Sequence, residues 1–330
     1  MSLVVKNLNV VTSSGREILK NCSWEVESGG RLGIIGESGS GKSMSSLAVL
    51  GLLPEGMKAT GSVLLDGEEI LGLPDSQLRR IRGSKIAMVF QEPLTALDPL
   101  MKVGRQIAGP LRLHRGLDKK AAAARVTELL KLVALEEAER IAGSFPWQLS
   151  GGQRQRVALA MALACEPDVI IADEPTTALD ATVQAEVLEL LASLVEKLGT
   201  TLIFISHDLP VIAKVADDLI VMRHGEVVEQ TTVAAGLSAP EQEYTKHLIQ
   251  SAVEVNYIPG RSARRGLGEG VGGGAAGVGE SVGVGDVRTG RSGAGGSVST
   301  GGDGTGGSVR GRGADVVVDN KTGSEGESDE

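Results

Sequence analysis

Apolar residues along most of the chain occur in two patterns, short continuous runs and longer runs with a helical period. Continuous runs that end in a turn or polar residue are typical of strands buried on both faces of a sheet. A helical period is clear where Val126, Leu129 and Val133 fall on one face. Strands that alternate with helices predict an α/β fold with a mostly parallel sheet. The runs predicted to be strands are RLGIIG at 31–36, KIAMVF at 85–90, DVIIAD at 168–173 and TLIFIS at 201–206.

Three segments depart from this alternation. The stretch at about 100–164 shows helical patterns without a convincing strand, which predicts an inserted helical subdomain. The segment LIVMRHGEVVEQ, with His224 and Gly225 at its centre, predicts a hairpin. The C-terminal part holds about half of the chain's 46 glycines and few large apolar residues, so burial there cannot offset the entropy of ordering. We therefore predict a folded domain at 1–255 and a disordered Gly/Ser-rich tail at 256–330.

Composition indicates where the chain is located and which partners it binds. No apolar run approaches the roughly 20 residues that a membrane-spanning helix needs. The start of the chain, MSLVVKNLNV, turns polar too early for a secretory signal, so we expect the chain to stay in the cytoplasm. Cys22 and Cys165 are far apart and lack metal-ligand spacing, so we expect both to be core residues. A formal net charge of −9 gives no overall attraction for phosphates, so nucleic acid is not an expected partner.

A phosphate-binding loop is predicted directly after the run at 31–36. The segment GESGSGKS fits the pattern G-x-x-x-x-G-K-[ST] between a strand and a helix, a setting that disfavours the alternative of a flexible Gly/Ser turn. Its glycines let backbone amides approach phosphate oxygens closely. Lys42 would neutralise the β and γ phosphates, and the Ser43 hydroxyl would coordinate Mg²⁺. The predicted nucleotide-binding residues are Gly36, Glu37, Ser38, Gly39, Ser40, Gly41, Lys42 and Ser43.

An acid pair closes the strand DVIIAD. Asp173 is placed to hold the metal ion, and Glu174 would reach the attacking water as general base. An acid pair after an apolar strand is common, and alone it also fits a helix N-terminus that carries an extra charge. Its combination with a phosphate loop predicts a hydrolytic nucleotide site.

Between these two elements lies LSGGQ at 149–153, and here the chain resembles the ABC ATPase family. Gln91 in VFQEP is similar to the family's Q-loop, residues 178–180 in TTALD to its D-loop, and His207 in ISHD to its H-loop. Read alone, Gln91 is also compatible with a solvated glutamine before a proline turn, and a lone histidine is more often structural. The resemblance covers about 3–252.

The resemblance implies a fold and a set of roles. The implied fold is an ABC cassette of the phosphate-loop NTPases, with an N-terminal antiparallel β subdomain beside the mostly parallel core sheet. ATP and Mg²⁺ are the implied ligands. Glu174, His207 and Gln91 are the implied catalytic residues, and Ser43, Gln91 and Asp173 surround the metal. The LSGGQ segment corresponds to the signature motif of the family. In the family, two cassettes meet head to tail, so the signature of one chain contacts the ATP of the other. The residues expected at that contact are Ser150, Gly151, Gly152, Gln153 and Asp180.

A narrower resemblance carries further expectations. MVFQEPLTALDPLMKVG, the long stretch around LSGGQ and EYTKHLIQS are similar to the peptide and nickel branch of bacterial importers. This implies two transmembrane permease subunits, a second ATPase subunit that is identical or homologous, and an extracytoplasmic solute-binding protein. The chain would lie at the cytoplasmic face of the membrane and drive uptake of di- and oligopeptides. Nickel import stays an alternative, and a soluble ABC ATPase without a transport role is a weaker one.

One feature departs from the family pattern. Family members usually place an aromatic residue near the first strand, where it stacks on adenine, and residues 10–13 contain none. We expect apolar contact with adenine from Val11 or its neighbours, with weaker base binding than stacking would give.

Overall fold

The computed structural model describes residues 1–91, 96–177 and 179–256, with side chains described as far as residue 251. Apart from its first residue, Asn256, the predicted tail lies outside the described residues, as does Ala178 of the TTALD segment. The strands are β1 (Leu3–Val11), β2 (Glu17–Val26), β3 (Arg31–Ile35), β4 (Lys58–Leu65), β5 (Glu68–Glu69), β6 (Ile86–Val89), β7 (Val169–Asp173), β8 (Thr201–Ser206), β9 (Asp218–Arg223) and β10 (Glu226–Thr232). The helices are α1 (Lys42–Val49), α2 (Asp75–Ile81), α3 (Val103–His114), α4 (Lys119–Leu132), α5 (Ala138–Gly143), α6 (Gly151–Ala162), α7 (Ala181–Leu198), α8 (Leu209–Val215), α9 (Val233–Ser238) and α10 (Glu243–Asn256), with a 3₁₀ turn at Pro146–Gln148.

Two sheets form the β structure. The larger one has the strand order β10-β9-β3-β8-β7-β6, and all its neighbouring strands are parallel except the β9–β10 hairpin. The smaller one, β2-β1-β4-β5, is antiparallel throughout. The four strands and the hairpin predicted from apolar runs are confirmed. The mostly parallel sheet and the N-terminal antiparallel sheet are those of the expected cassette fold.

The core sheet is covered on both faces, which explains its continuous apolar strands. Successive side chains of a strand point to opposite faces. In β8, Ile203 and Ile205 pack on the side of the smaller sheet and α1, whereas Leu202 and Phe204 pack on the side of α3 to α6. The described part of 100–164 contains helices and the 3₁₀ turn but no strand, which agrees with the predicted helical insertion.

The parallel register brings the ends of the core strands to one edge. Ile35 of β3 pairs with Ser206 of β8, and Asp173 of β7 pairs with Ile205. The segments that follow β3, β6, β7 and β8 therefore emerge side by side, where α/β sheets bind their ligands. Within the described ranges, no helix is both long and apolar enough to cross a bilayer.

Candidate active site

The phosphate loop runs from the end of β3 to the start of α1, and its glycines occupy positions that other residues would not fit. Gly39 and Gly41 have φ angles of 81° and 104°, in the region that favours glycine. A Cβ on Gly36 would lie 2.2 Å from the carbonyl oxygen of Met222, and one on Gly41 would lie 2.6 Å from Leu19 Cδ2. The backbone itself thus forms the wall of the loop, as an anion cradle requires.

Lys42 folds back over this loop. Its Nζ donates to the carbonyl oxygens of Gly36 at 2.7 Å and Glu37 at 3.0 Å, and the residue is buried. Burial lowers the pKa of Lys42, against the opposing effect of the Glu174 and Asp173 carboxylates. A desolvated ammonium at the mouth of an amide cradle suits the β and γ phosphates of a nucleotide.

Ser43 and Asp173 meet although they are far apart in the chain. The Ser43 hydroxyl donates to Asp173 Oδ1 at 2.9 Å, and Asp173 is buried at the end of β7. Burial raises the pKa of Asp173, and the Ser43 hydrogen bond opposes that shift. A hydroxyl next to a carboxylate is a hard oxygen donor set of the kind that Mg²⁺ prefers. The buried Ser40 hydroxyl has no hydrogen-bond partner among the described residues, so the loop can still bond an added oxygen atom.

Glu174 is held by three polar side chains. Its Oε2 accepts hydrogen bonds from Gln91 Nε2 and Thr177 Oγ1, both at 3.0 Å, and its Oε1 lies 3.1 Å from His207 Nδ1. The Glu174 backbone has a φ of 44°, which is rare outside glycine and occurs where a site stores strain. The structure therefore brings together the three residues predicted to be catalytic. Thr177 was missed, although it follows the acid pair closely in DEPTT.

A cavity of about 650 Å³ joins these groups. Its side walls include Arg16, Ile18 and Met44, none of which was predicted. Val11, which with its neighbours was expected to contact adenine, is not among the residues that line this cavity, whose apolar lining residues are Ile18 and Met44. The full lining is Arg16, Ile18, Ser38, Gly39, Gly41, Lys42, Ser43, Met44, Gln91, Glu174, Thr177 and His207.

Helix α10 contacts the phosphate loop. The backbone N–H of Glu37 donates to the Tyr244 hydroxyl at 3.2 Å, and the Arg223 guanidinium lies 4.6 Å from the Tyr244 ring centroid. Glu229 on β10 fixes the start of this helix by accepting from the backbone N–H groups of Glu241 and Gln242, both at 3.1 Å. Sequence reasoning missed the Tyr244 contact, because it joins residues that are 207 positions apart in the chain.

The signature segment lies apart from the cavity in the single chain. Ser150 is the N-cap of α6, where its hydroxyl accepts from the Gln153 backbone N–H at 3.2 Å. Asp180 is likewise the N-cap of α7. A Cβ on Gly152 would lie 2.6 Å from Val183 Cγ1, so the first turn of α6 packs closely on α7. Within one chain Ser150 and Asp180 are helix caps, and the contact of these segments with a nucleotide stays a prediction.

Comparison with known proteins gives one family. The family described as ABC transporter matches residues 19–177. The chain is 44% identical to the probable peptide ABC transporter ATP-binding protein y4tR of Sinorhizobium fredii, over 71% of this chain and 70% of that protein. It is 44% identical to the oligopeptide transport ATP-binding protein OppD of Bacillus subtilis, over 76% of this chain and 71% of that protein. A solved dimeric structure of the ATP-binding cassette MJ0796, in a post-hydrolysis state with ADP and Pi, is 35% identical, with a TM-score of 0.63 over 70% of this chain and 98% of that one.

Fold and site together define the class of protein, a phosphate-loop ATPase with an ATP-binding cassette. The relatives narrow that class, and the chain belongs to the family of ABC transporter ATP-binding proteins. The predicted resemblance to the peptide importer branch is confirmed by these relatives, and the predicted cassette fold by the solved structure.

Proposed function

We propose that this chain is the ATP-hydrolysing subunit of an importer that carries di- and oligopeptides across the cytoplasmic membrane. The observation that carries the enzymatic part is the position of Glu174, oriented by Gln91 and His207 at the end of the cavity that the phosphate loop lines. The names of the relatives from Sinorhizobium and Bacillus support the peptide cargo.

The site residues divide the work of phosphoryl transfer to water. Amides of the phosphate loop and the Lys42 ammonium bind the β and γ phosphates. Ser43, Asp173 and Gln91 would hold Mg²⁺, which would offset the negative charge that develops on the phosphate oxygens. Their fit to the ion is supported by the Ser43 to Asp173 contact of 2.9 Å.

Glu174 takes a proton from the attacking water. The water oxygen forms a bond to the γ phosphorus, and the bond from that phosphorus to the β–γ bridging oxygen breaks. Gln91 and Thr177 orient the accepting carboxylate through its Oε2. His207 contacts Oε1 through Nδ1, so its Nε2 is available for a γ-phosphate oxygen. Transfer of the proton to a positioned base contributes roughly 10² to 10⁴ in rate.

A second subunit completes the working unit. Ser150, Gly151, Gly152 and Gln153 would contact the ATP bound by the other ATPase subunit, with Asp180 at the same junction. The amides at the start of α6 suit an anion from outside the chain. Binding energy that exists only in the closed pair shifts the balance between open and closed pairs. Two permease subunits would transmit this change from the cytoplasmic face, with a solute-binding protein delivering the cargo outside.

Uptake by cells tests the proposal. We would compare labelled dipeptides, longer peptides and Ni²⁺ in cells that carry the native chain, Glu174→Gln or Glu189→Gln, where Glu189 is an exposed residue of α7. We expect peptide uptake to stop only with Glu174→Gln. Loss of Ni²⁺ uptake alone would assign nickel as the cargo, and unchanged uptake of all three would point to an ABC ATPase without this transport role.

A further inference from the structure

Part of the nucleotide cavity is lined by residues that lie outside the phosphate loop and outside the group around Glu174. Arg16, Ile18 and Met44 line it. Arg16 directly precedes β2 and Ile18 is the second residue of that strand, and both line the cavity. Met44 follows Ser43 in the first turn of α1. These three side chains therefore lie beside the phosphate-binding residues, where the base of a bound nucleotide would extend.

The backbone around Arg16 is well fixed. The Thr12 backbone N–H donates to the Arg16 carbonyl oxygen at 2.9 Å, and the Arg16 N–H donates to Thr12 Oγ1 at 3.1 Å. Gly15 closes the turn with a φ of 82° and a hydrogen bond from its N–H to the Thr12 carbonyl oxygen. This turn holds the start of β2 at the mouth of the cavity.

The strand also touches the phosphate loop. A Cβ on Gly41 would lie 3.5 Å from the Ile18 carbonyl oxygen. Ile18 therefore lies next to the phosphate loop. One bound nucleotide can contact both.

The Arg16 guanidinium is available to a ligand. Its residue is exposed, and no carboxylate lies within ion-pair distance of it in the described part of the chain. No phenylalanine, tyrosine or tryptophan is among the described residues that line the cavity. A planar guanidinium can lie over an aromatic face and supply both stacking and cation–π attraction.

We propose that Arg16 lies over the face of the adenine of bound ATP, with Ile18 and Met44 in apolar contact with the same base. This inference rests on the proposed function, since it concerns the same ATP site. Stacking and apolar contact do not distinguish the groups on the edge of a purine. The site therefore holds adenine and guanine nucleotides with similar affinity.

Calorimetric titration of the full chain separates a role at the base from a role at the phosphates. The ligands are ATP, GTP and inorganic tripolyphosphate, each with Mg²⁺, and the variants are Arg16→Ala and Arg16→Lys. Lys6→Ala is the control, because it removes one positive charge from an exposed position of the neighbouring strand β1. Thermal unfolding of each variant shows that it is folded.

For Arg16→Ala we expect ATP and GTP to bind about 3- to 30-fold more weakly, with tripolyphosphate binding unchanged. Arg16→Lys should lose only part of this affinity, because an ammonium keeps the cation–π attraction but cannot stack, and Lys6→Ala should bind all three ligands like the native chain. An equal loss for tripolyphosphate, or full rescue by lysine, would assign Arg16 to the phosphates and overturn the inference. Unchanged nucleotide binding would overturn it as well, while leaving the ATPase assignment in place. A native chain that bound none of the three ligands would refute the ATP site itself.

Discussion

The buried carboxylate of Glu229 anchors helix α10, and its replacement by glutamine should release that helix. The carboxylate accepts hydrogen bonds from the backbone N–H groups of Glu241 and Gln242, both at 3.1 Å, and from the Thr245 hydroxyl at 2.5 Å. Two oxygens thus serve three donors at a buried position. In Glu229→Gln, one oxygen becomes an NH₂ group that faces another donor, so at least one backbone N–H loses its acceptor.

The expected cost follows from these contacts. Leaving one buried donor without its charged acceptor costs about 2 kcal/mol. For a folded domain of this size, such a loss lowers Tm by about 4 to 8 °C. The helix also carries Tyr244, whose hydroxyl contacts the phosphate loop, so hydrogen exchange should quicken in both α10 and that loop.

The effect should depend on pH with a definite sign. Burial acts to raise the pKa of Glu229, but the hydrogen bonds from Thr245 and from the two backbone amides outweigh it, so the pKa lies below its ordinary value. A carboxylate with a lowered folded pKa stabilises the fold fully above its unfolded pKa, about 4.3, and loses that contribution as pH falls through the folded value. The stability gap between native chain and variant should therefore be constant near neutral pH and shrink in acid.

The assay is thermal unfolding followed by circular dichroism, with hydrogen exchange measured by mass spectrometry. Glu226→Gln is the matched control, because Glu226 lies on the same strand, is exposed, and forms only a surface ion pair with Lys20. Equal Tm values for the two variants at neutral pH, or a gap that widened in acid, would refute the reasoning.

Two further substitutions test the supports of the phosphate loop. Tyr244→Phe removes the hydroxyl that accepts a hydrogen bond from the Glu37 amide. A neutral hydrogen bond contributes about 1 kcal/mol, so the Kd for ATP should rise by up to about 5-fold. An unchanged Kd would contradict this role. Gly225→Ala should lower Tm much more than Gly67→Ala. Both glycines have a φ of 83°. A Cβ on Gly225 would lie 2.3 Å from the Ile18 carbonyl oxygen, whereas one on Gly67 would meet nothing within 4 Å. Similar Tm losses would show that backbone strain alone sets the cost.

The fold was largely readable from the sequence because buried strands leave a strong pattern. A continuous apolar run such as TLIFIS needs apolar partners on both faces, and it forms the wholly buried strand β8. The order of the strands was not readable, because β3 lies between β8 and β9 through contacts that join distant parts of the chain. The domain boundary at 255 and the tail stay predictions.

The candidate site was readable where motifs end on parallel strands. The segments after β3 and β7 had to emerge at one edge, which is why Ser43 and Asp173 meet. Arg16 could not be found in this way, because its place depends on the turn between β1 and β2 and on the packing of β2 against Gly41. The same limit applies to Tyr244, whose neighbour Glu37 is distant in sequence.

The central claim is that Glu174 accepts the proton of the attacking water at this ATP site. ATP turnover and ATP retention by Glu174→Gln, beside native chain and Glu189→Gln, test it most directly. We predict that turnover falls by roughly 10² to 10⁴ while ATP stays bound with nearly native affinity, because the glutamine keeps the shape of the side chain and loses its basicity. Turnover by Glu174→Gln at the native rate would contradict the claim.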